Sequence, residues 1–228
     1  DEIIINETPK KLELIGPGEI LSDPGFIVDL KYMCQRIELR DLTIGTLDWL
    51  PVWVLELHIE NCKVLKLGHQ LPSNVIHLTC HNTEIVDYSE LITDRLSKLD
   101  LNHQKLTKLP ECLAFQGTNI LFLNLNNNEL KFWSVWPIKV RGLRLAGNRL
   151  INLGQLGHLP AYLEDLDLSN NKLTEFPSTL PVHVRRLNMC NNELQYLPED
   201  ICEYPPNLRD LNLSGNCSLN DLTDAVFP

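Results

Sequence analysis

The chain has 228 residues, of which 20 are Lys or Arg and 30 are Asp or Glu, so its formal net charge at pH 7 is −10. Such an acidic chain lacks the basic surface that nucleic-acid binding needs, and it gives no reason to expect adsorption to an anionic membrane. Its hydrophobic fraction of 43% excludes a largely disordered chain, and no apolar run approaches the ~20 residues of a membrane-spanning helix.

Residues 1–33 do not follow the pattern of the rest of the chain. Leu12-Glu13-Leu14 alternates like a short strand, and Gly16-Pro17-Gly18 and Asp23-Pro24-Gly25 are turn signals. We expect residues 1–33 to form an N-terminal cap or a degenerate first repeat, which covers the open end of a stacked core. Residues 34–228 are then expected to form the regular part of the molecule.

A short unit repeats from Cys34 onward. Leu accounts for 44 residues and Asn for 21, both above ordinary usage. In the segments 140–153, 163–176 and 184–197, apolar residues occupy positions 1, 4, 6, 11 and 14 of a common frame, and Asn occupies position 9. The same frame begins at residues spaced 20 to 24 apart: Cys34, Val54, Val75, Leu96, Ile120, Val140, Leu163, Val184 and Leu208. We therefore predict nine repeats.

Each repeat is predicted to contain one short strand. Positions 4 and 6 point to one face of the strand, whereas positions 3, 5 and 7 point to the opposite face and are mostly polar. Leu125 and Leu168 belong to the inward row. One unit cannot bury this row alone, so stacked repeats should share a core. Parallel strands are expected to begin near residues 36, 56, 77, 98, 122, 142, 165, 186 and 210.

Position 9 of the frame is regular only in the second half of the chain. It is occupied in turn by Leu42, Cys62, Thr83, Gln104, Asn128, Asn148, Asn171, Asn192 and Asn216. The Asn side chain can hydrogen-bond to the backbone of its own turn and of the neighbouring repeat. We therefore expect a regular ladder of Asn side chains from the fifth repeat onward.

The segments that return from one strand to the next are rich in Pro. Leu-Pro or Phe-Pro pairs include Leu71-Pro72, Leu109-Pro110, Leu159-Pro160, Phe176-Pro177, Leu180-Pro181 and Leu197-Pro198. Because Pro fixes φ and lacks an amide proton, the returns are expected to be extended rather than helical. Single helical turns are predicted within residues 89–92, 110–115 and 198–204.

Over about residues 34–222, these features resemble leucine-rich-repeat proteins, whose pattern is L-x-x-L-x-L-x-x-N-x-L. The repeats are 20 to 24 residues long, and some begin with a Leu-Pro motif, as in Leu180-Pro181-Val182-His183-Val184. In both respects they are similar to the short repeats of bacterial effector proteins. The resemblance implies an α/β repeat fold that is mostly β. It is a curved solenoid with parallel strands on its concave face and extended or short-helical returns on its convex face.

The resemblance implies a non-enzymatic protein–protein interaction module, and we expect a bacterial effector domain that binds a host protein through its concave face. The alternatives are a eukaryotic intracellular scaffold or the substrate-recognition part of a larger enzyme, such as a bacterial ubiquitin ligase whose catalytic domain lies outside this chain. The sequence contains no hydrolase elbow, P-loop or dinucleotide-binding motif, so catalytic residues and cofactors are not predicted. We expect a monomer that binds neither nucleic acid nor a membrane.

The seven cysteines are expected to be free thiols. Their number is odd and no C-x-x-C pair occurs, so neither a disulfide framework nor a structural zinc site is predicted. Free thiols persist in reducing surroundings, which favours an intracellular location. If the chain is an effector, that location is reached by secretion into the host cell.

Histidine and acidic residues are concentrated at the outward positions of the second to fourth repeats. The candidate partner-binding residues there are Glu56, His58, Glu60, His77, His81, Asp100 and Asn102, with His103 beside them. Neighbouring strands lie ~5 Å apart, so these side chains should meet. They could form a metal site or a pH-sensitive contact, or simply a polar face. The lack of a fixed ligand spacing favours the polar face.

The later repeats add an aromatic residue and bands of charge. Phe122, at an outward position, could be a binding hot spot or could pack on a neighbouring segment. Asn124 and Arg144 complete the candidate partner-binding set. Bands of Arg and Asp alternate from Arg141 to Asp210, which suits either electrostatic selection of a protein partner or a solvated face. Four aromatic residues of the returns should fill the convex side of the core: Trp49, Trp53, Trp133 and Trp136.

Overall fold

The computed structural model describes residues 4–8, 11–16, 20–21, 35–64, 71–85, 88, 92–114, 118–131, 135–156, 158–177, 179–197 and 206–219. The chain divides into two compact units. Unit 1 comprises residues 1–104 and 110–120, and unit 2 comprises residues 105–109 and 121–228. Both units are solenoid segments built from short strands, with almost no helix among the described residues.

The described residues of unit 1 form ten strands. Their bounds are Ile4–Thr8 (β1), Lys11–Ile15 (β2), Ile20–Leu21 (β3), Arg36–Arg40 (β4), Thr43–Ile44 (β5), Glu56–Glu60 (β6), Lys63–Val64 (β7), His77–His81 (β8), Glu84–Ile85 (β9) and Lys98–Asp100 (β10). After the antiparallel hairpin β1–β2, the strands β2, β4, β6, β8 and β10 pair in parallel in that order. The two-residue strands β3, β5, β7 and β9 form a second, smaller parallel sheet.

In the described part of unit 2 there are five short parallel strands. They are Phe122–Asn124 (β11), Gly142–Arg144 (β12), Asp165–Asp167 (β13), Arg186–Asn188 (β14) and Asp210–Asn212 (β15), and they pair in parallel in chain order. The nine strand starts that the repeat frame predicts, from residue 36 to residue 210, are confirmed.

The predicted strand at Leu12-Glu13-Leu14 is also confirmed. It is part of β2, which pairs with β4 exactly as one repeat pairs with the next, Leu12 beside Ile37 and Leu14 beside Leu39. Burial of Leu12 and Leu14 shows that the core extends into the N-terminal segment. The division of the chain at residue 33 stays a prediction.

The inward row forms the core. Leu125 and Leu168 are fully buried, and the same is true of the equivalent Leu57 and Leu143. Among the tryptophans, Trp136 is buried, whereas Trp49 and Trp53 are half-buried, and Trp133 lies outside the described residues. The predicted packing of the return tryptophans is thus confirmed for Trp136, is partial for Trp49 and Trp53, and stays a prediction for Trp133.

Each repeat turns after its strand through a residue in the left-handed backbone region, at position 8 of the frame. These residues have φ between 47° and 73°, and they are Asp41, Asn61, Asn82, His103, Asn127, Gly147, Asn170, Asn191 and Gly215. Asn, Asp and Gly adopt this conformation more readily than other residues. The preference at position 8 is a second repeat signal, which the hydrophobic frame does not include.

The predicted Asn ladder is present in unit 2. Asn171 Nδ2 donates to the carbonyl oxygens of Leu168, at 3.0 Å, and of Leu145 in the preceding repeat, at 2.9 Å. Its Oδ1 accepts a hydrogen bond from the amide of Leu150 at 3.1 Å. Equivalent bonds are made by Asn128, Asn148, Asn192 and Asn216. The ladder thus bonds every repeat of unit 2 to the repeat before it.

Unit 1 uses other side chains at the same position. Thr83 Oγ1 donates to the carbonyl oxygen of Ile59 in the preceding repeat at 3.2 Å. Cys62 Sγ accepts a weak hydrogen bond from the amide of Leu42 at 3.5 Å. A hydroxyl or thiol has one hydrogen to donate, whereas the amide of Asn has two, so the ladder of unit 1 offers fewer donors than that of unit 2.

The prolines of the returns begin tight turns that lead into the next strand. The carbonyl oxygens of Pro72, Pro160 and Pro181 accept hydrogen bonds from the amides three residues later, at 3.0, 3.1 and 3.0 Å. The helical turn predicted within residues 110–115 is a 3-10 helix, Glu111–Ala114, and a further one at Leu153–Leu156 was not predicted. Residues 198–204 and most of 89–92 lie outside the described residues. No helix in the described ranges is long and apolar enough to cross a membrane.

Candidate functional site

The outward side chains of the long strands in unit 1 form one charged surface, which we call strand face 1. It consists of Lys11, Glu13, Arg36, Glu38, Arg40, Glu56, His58, Glu60, His77, Thr79, His81, Lys98 and Asp100. The parallel register places equivalent positions side by side, so that Glu38, His58 and Thr79 form one row across β4, β6 and β8. The predicted candidates of unit 1 are therefore brought together.

Glu38 is the buried centre of strand face 1. Its side chain is only 4% exposed, and its carboxylate lies 2.7 Å from Lys11 Nζ, 2.7 Å from Arg36 Nη2 and 3.0 Å from Arg40 Nη2. Burial acts to raise the pKa of Glu38, but the hydrogen bonds and charges of Lys11 and Arg36 outweigh it and hold that pKa below its usual range. Sequence reasoning missed this cluster, because each of its members occupies an ordinary outward position.

Glu56 lies between one arginine and two histidines. Its carboxylate oxygens are 3.6 Å from Arg36 Nη1 on β4 and 3.4 Å from His77 Nδ1 on β8. His58, on the same strand as Glu56, places Nε2 at 4.0 Å. Burial and the positive charge of Arg36 lower the pKa of His58. His58 is therefore neutral at neutral pH.

Glu60 has equivalent neighbours. Arg40 Nε lies 3.1 Å from one carboxylate oxygen, and His81 Nδ1 lies 3.7 Å from the other. The His81 ring is 5.0 Å from the ring of His103, centre to centre. Among the described residues, no three His, Cys, Asp or Glu side chains are placed to hold a metal ion. The imidazoles thus lie beside carboxylates, and the choice among a metal site, a pH-sensitive contact and a polar face stays a prediction.

The last two candidates of unit 1 belong to the turn that ends β10. Asp100 Oδ1 accepts a hydrogen bond from the Asn102 amide at 3.1 Å. Asn102 Oδ1 is buried and has no hydrogen-bond partner among the described residues. Asp100 therefore shapes the turn.

Unit 2 presents a second outward surface, strand face 2. It consists of Phe122, Asn124, Gly142, Arg144, Asp165, Asp167, Arg186, Asn188, Asp210 and Asn212. The half-buried ring of Phe122 covers Gly142, where an added Cβ would lie 2.8 Å from Phe122 Cδ2. Arg144 Cζ lies 6.0 Å from the centre of the same ring. Phe122 thus packs on the neighbouring strand and leaves a minor part of its surface exposed for a partner.

Two arginines converge on Asp165 in strand face 2. Arg144 donates to both carboxylate oxygens at 2.7 Å, and Arg186 donates to one of them at 2.8 and 3.1 Å. Burial of the Asp165 carboxylate acts to raise its pKa, but the hydrogen bonds and charges of Arg144 and Arg186 outweigh it, so the pKa lies below its usual range. Arg144, a predicted candidate, is therefore held rigidly by a partner that the sequence analysis did not single out. The opposite charges of Asp165 and Arg186, at equivalent positions of adjacent repeats, were a signal for one of the two pairs.

Five cysteines lie among the described residues, and each is a free thiol: Cys62, Cys80, Cys112, Cys190 and Cys217. Burial raises the pKa of Cys62 to about 11, and burial raises that of Cys80 further. Both thiols are therefore protonated at physiological pH and serve as small core side chains. Cys34 and Cys202 lie outside the described residues.

Comparison with known proteins agrees with the geometry of the repeats. The leucine rich repeat family model matches residues 161–217. The structure of YopM from Yersinia enterocolitica WA-314 is similar with a TM-score of 0.60 and 27% identity, over 78% of this chain and 37% of YopM. Toll-like receptor 2 from Ovis aries is 30% identical over 72% of this chain and 20% of the receptor.

The structure of a TLR13–ssRNA13 complex has the same fold, with a TM-score of 0.64 at 16% identity, over 92% of this chain and 35% of that chain. This chain thus spans between 20% and 37% of the length of the three proteins.

Proposed function

We propose that this chain, a leucine-rich-repeat protein similar to the repeat domains of bacterial effectors, is a non-enzymatic module that binds a protein partner through its strand faces. The observation that carries the proposal is the contrast between the two sides of each strand. Inward positions such as Leu57 and Leu143 are fully buried, whereas the outward positions align charged, imidazole and aromatic groups in register. A fixed array of unlike charges suits electrostatic selection of a protein surface.

The finer proposal is a bacterial effector domain that acts on a host protein inside the host cell. It is supported by the 27% identity to YopM and by free thiols, which suit a reducing compartment. A second candidate is the recognition part of a larger protein, and the similarity to one fifth of Toll-like receptor 2 favours it. For both candidates, the net charge of −10 favours a protein over a nucleic acid as the partner.

Capture of a partner from host-cell lysate by the immobilised chain tests this function. Phe122→Ala and the double change His58→Ala/His81→Ala should each reduce the amount of captured partner. Tyr196→Ala is the matched control, since Tyr196 is an aromatic residue of a return and is 71% exposed. Thermal unfolding should show only a small loss for Phe122→Ala, about 1 kcal/mol, because the ring is half-buried. The proposal is wrong if Tyr196→Ala abolishes capture and the strand-face variants capture as well as the parent.

A further inference from the structure

The negative charge of the chain is concentrated in unit 1. Unit 1 contains 9 Lys and Arg against 18 Asp and Glu, a net charge of −9, whereas unit 2 contains 11 against 12, a net charge of −1. A field of this sign accelerates the approach of a positively charged partner and opposes an acidic one. Charge complementarity therefore favours a basic partner for unit 1.

Within strand face 1, two carboxylates remain available to such a partner. The cations around β4 converge on the buried Glu38, and Arg36 and Arg40 also approach Glu56 and Glu60 from that side. Glu56 and Glu60 are still 34% and 37% exposed, and their β8 side lies beside the imidazoles of His77 and His81. An unprotonated imidazole does not neutralise a carboxylate, so a cationic side chain can approach from this side at neutral pH.

We propose that Glu56 and Glu60 bind a Lys- or Arg-rich segment of the partner protein at neutral pH, and that protonation of His77 and His81 at acidic pH releases it. The inference rests on the proposed function, because it assigns a chemistry to the partner of strand face 1. His77 lies 3.4 Å from Glu56 and His81 lies 3.7 Å from Glu60. Once protonated, each histidine neutralises its glutamate from the position it already occupies, so the cation of the partner is no longer needed there.

The charges around the histidines favour release. Besides Glu56, the charged neighbours of His58 are Arg36, Glu38 and Lys98. Those of His77 are Glu56 and Lys98. The titratable neighbours of His81 are Glu60 and His103. On the part of the face from β4 to β10, the permanent charges are three positive and four negative: Arg36, Arg40, Lys98, Glu38, Glu56, Glu60 and Asp100. Their sum of −1 becomes +1 when His77 and His81 are protonated. The face then repels a basic segment.

Binding of a fluorescein-labelled decalysine peptide to the full 228-residue chain tests the inference, measured by fluorescence anisotropy at pH 7.4 and 5.5 at constant ionic strength. We expect affinity at least tenfold higher at pH 7.4 than at pH 5.5. Glu56→Gln/Glu60→Gln should weaken binding at pH 7.4 about tenfold. Glu84→Gln is the matched control, because Glu84 is an exposed acid of unit 1 outside strand face 1 and should leave binding unchanged.

A second variant isolates the pH response. In His77→Gln/His81→Gln, the ratio of the affinities at the two pH values should fall to about threefold or less. The inference is overturned if decalysine binding is insensitive to Glu56→Gln/Glu60→Gln, if Glu84→Gln weakens it equally, or if a labelled decaglutamate peptide binds more tightly at pH 5.5 than decalysine does at pH 7.4. None of these outcomes overturns the proposed function if changes in the strand faces still abolish capture of the partner. If those changes leave capture unaffected, the proposed function itself is wrong.

Discussion

At the scale of single residues, a backbone requirement explains a preference that hydrophobic periodicity cannot detect. Position 8 of the frame has a positive φ in all nine repeats, so that the chain turns sharply after each strand. A side chain with a branched Cβ is strained in this conformation, whereas Gly is not. The requirement accounts for Asn170-Asn171 and Gly147-Asn148, where the turn residue comes directly before the ladder Asn.

Substitution of Asn170 should reveal this requirement. Asn170 has a φ of 55° and is exposed, so a change there affects the backbone more than the core. We expect Asn170→Val to lower the free energy of unfolding by about 1–2 kcal/mol, the cost of left-handed backbone in a side-chain-bearing residue. Asn170→Gly is the control and should change it by less than about 0.5 kcal/mol. Urea denaturation measures both, and equal losses would show that the conformation at position 8 is not the cause.

A second residue-scale prediction concerns Asp165 and its two arginines. Asp165→Asn removes the charge that Arg144 and Arg186 share, and we expect a loss of about 1–2 kcal/mol in the free energy of unfolding at pH 7. The arginines are partly exposed, which keeps the loss in this range. Asp167→Asn is the control, because Asn188 and Asn212 already occupy the equivalent position and accept the same turn hydrogen bond. Similar losses for both variants would contradict a special role for Asp165.

The pH dependence of this difference has a definite sign. The folded-state pKa of Asp165 is lowered, so its carboxylate stabilises the fold fully above the unfolded-state pKa of about 4. As the pH falls below about 4 and through the lowered pKa, the stabilisation is lost. The gap in unfolding free energy between the parent and Asp165→Asn should therefore shrink in acid. A gap that grows on acidification would contradict the assignment.

At the scale of the elements, the ladder position distinguishes the two units. Asn171 satisfies backbone groups on its own repeat and on the preceding one, and all of its partners are buried. Thr83, in unit 1, donates only one hydrogen at this place. Both units have the same type of strand and the same buried rows. They differ in how many backbone groups the side chains of the ladder satisfy.

Replacement of Asn171 tests the contribution of the ladder. Asn171→Ala leaves the Leu150 amide and the Leu145 carbonyl without their partner, so we expect a loss of about 2–4 kcal/mol in urea denaturation. Asn171→Thr should lose less, because its hydroxyl can donate as that of Thr83 does. If Thr is no better than Ala, the hydroxyls of unit 1 do not perform the function of the ladder.

At the scale of the whole molecule, the repeat frame predicted the strands and the core from the sequence. Positions such as Leu57 and Leu143 recur at fixed intervals, and the only way to bury such a row is to stack the repeats. The frame also identified Glu56 and His77, because equivalent outward positions are adjacent in parallel strands. Pairs between different positions, such as Arg144 with Asp165, could not be predicted, because side-chain length and rotamer decide them. The curvature of the solenoid stays a prediction.

Position-specific cross-linking tests the central claim, that the partner binds the strand faces. A photoreactive phenylalanine analogue is placed in separate proteins at Thr79 or Phe122 on the strand faces, and at Val52 or Tyr196 on the returns. The return positions are 67% and 71% exposed, so they are at least as accessible as the strand positions. Irradiation in host-cell lysate should give one discrete cross-linked species from Thr79, from Phe122 or from both, and none from Val52 or Tyr196. That species arising from the return positions alone would contradict the account.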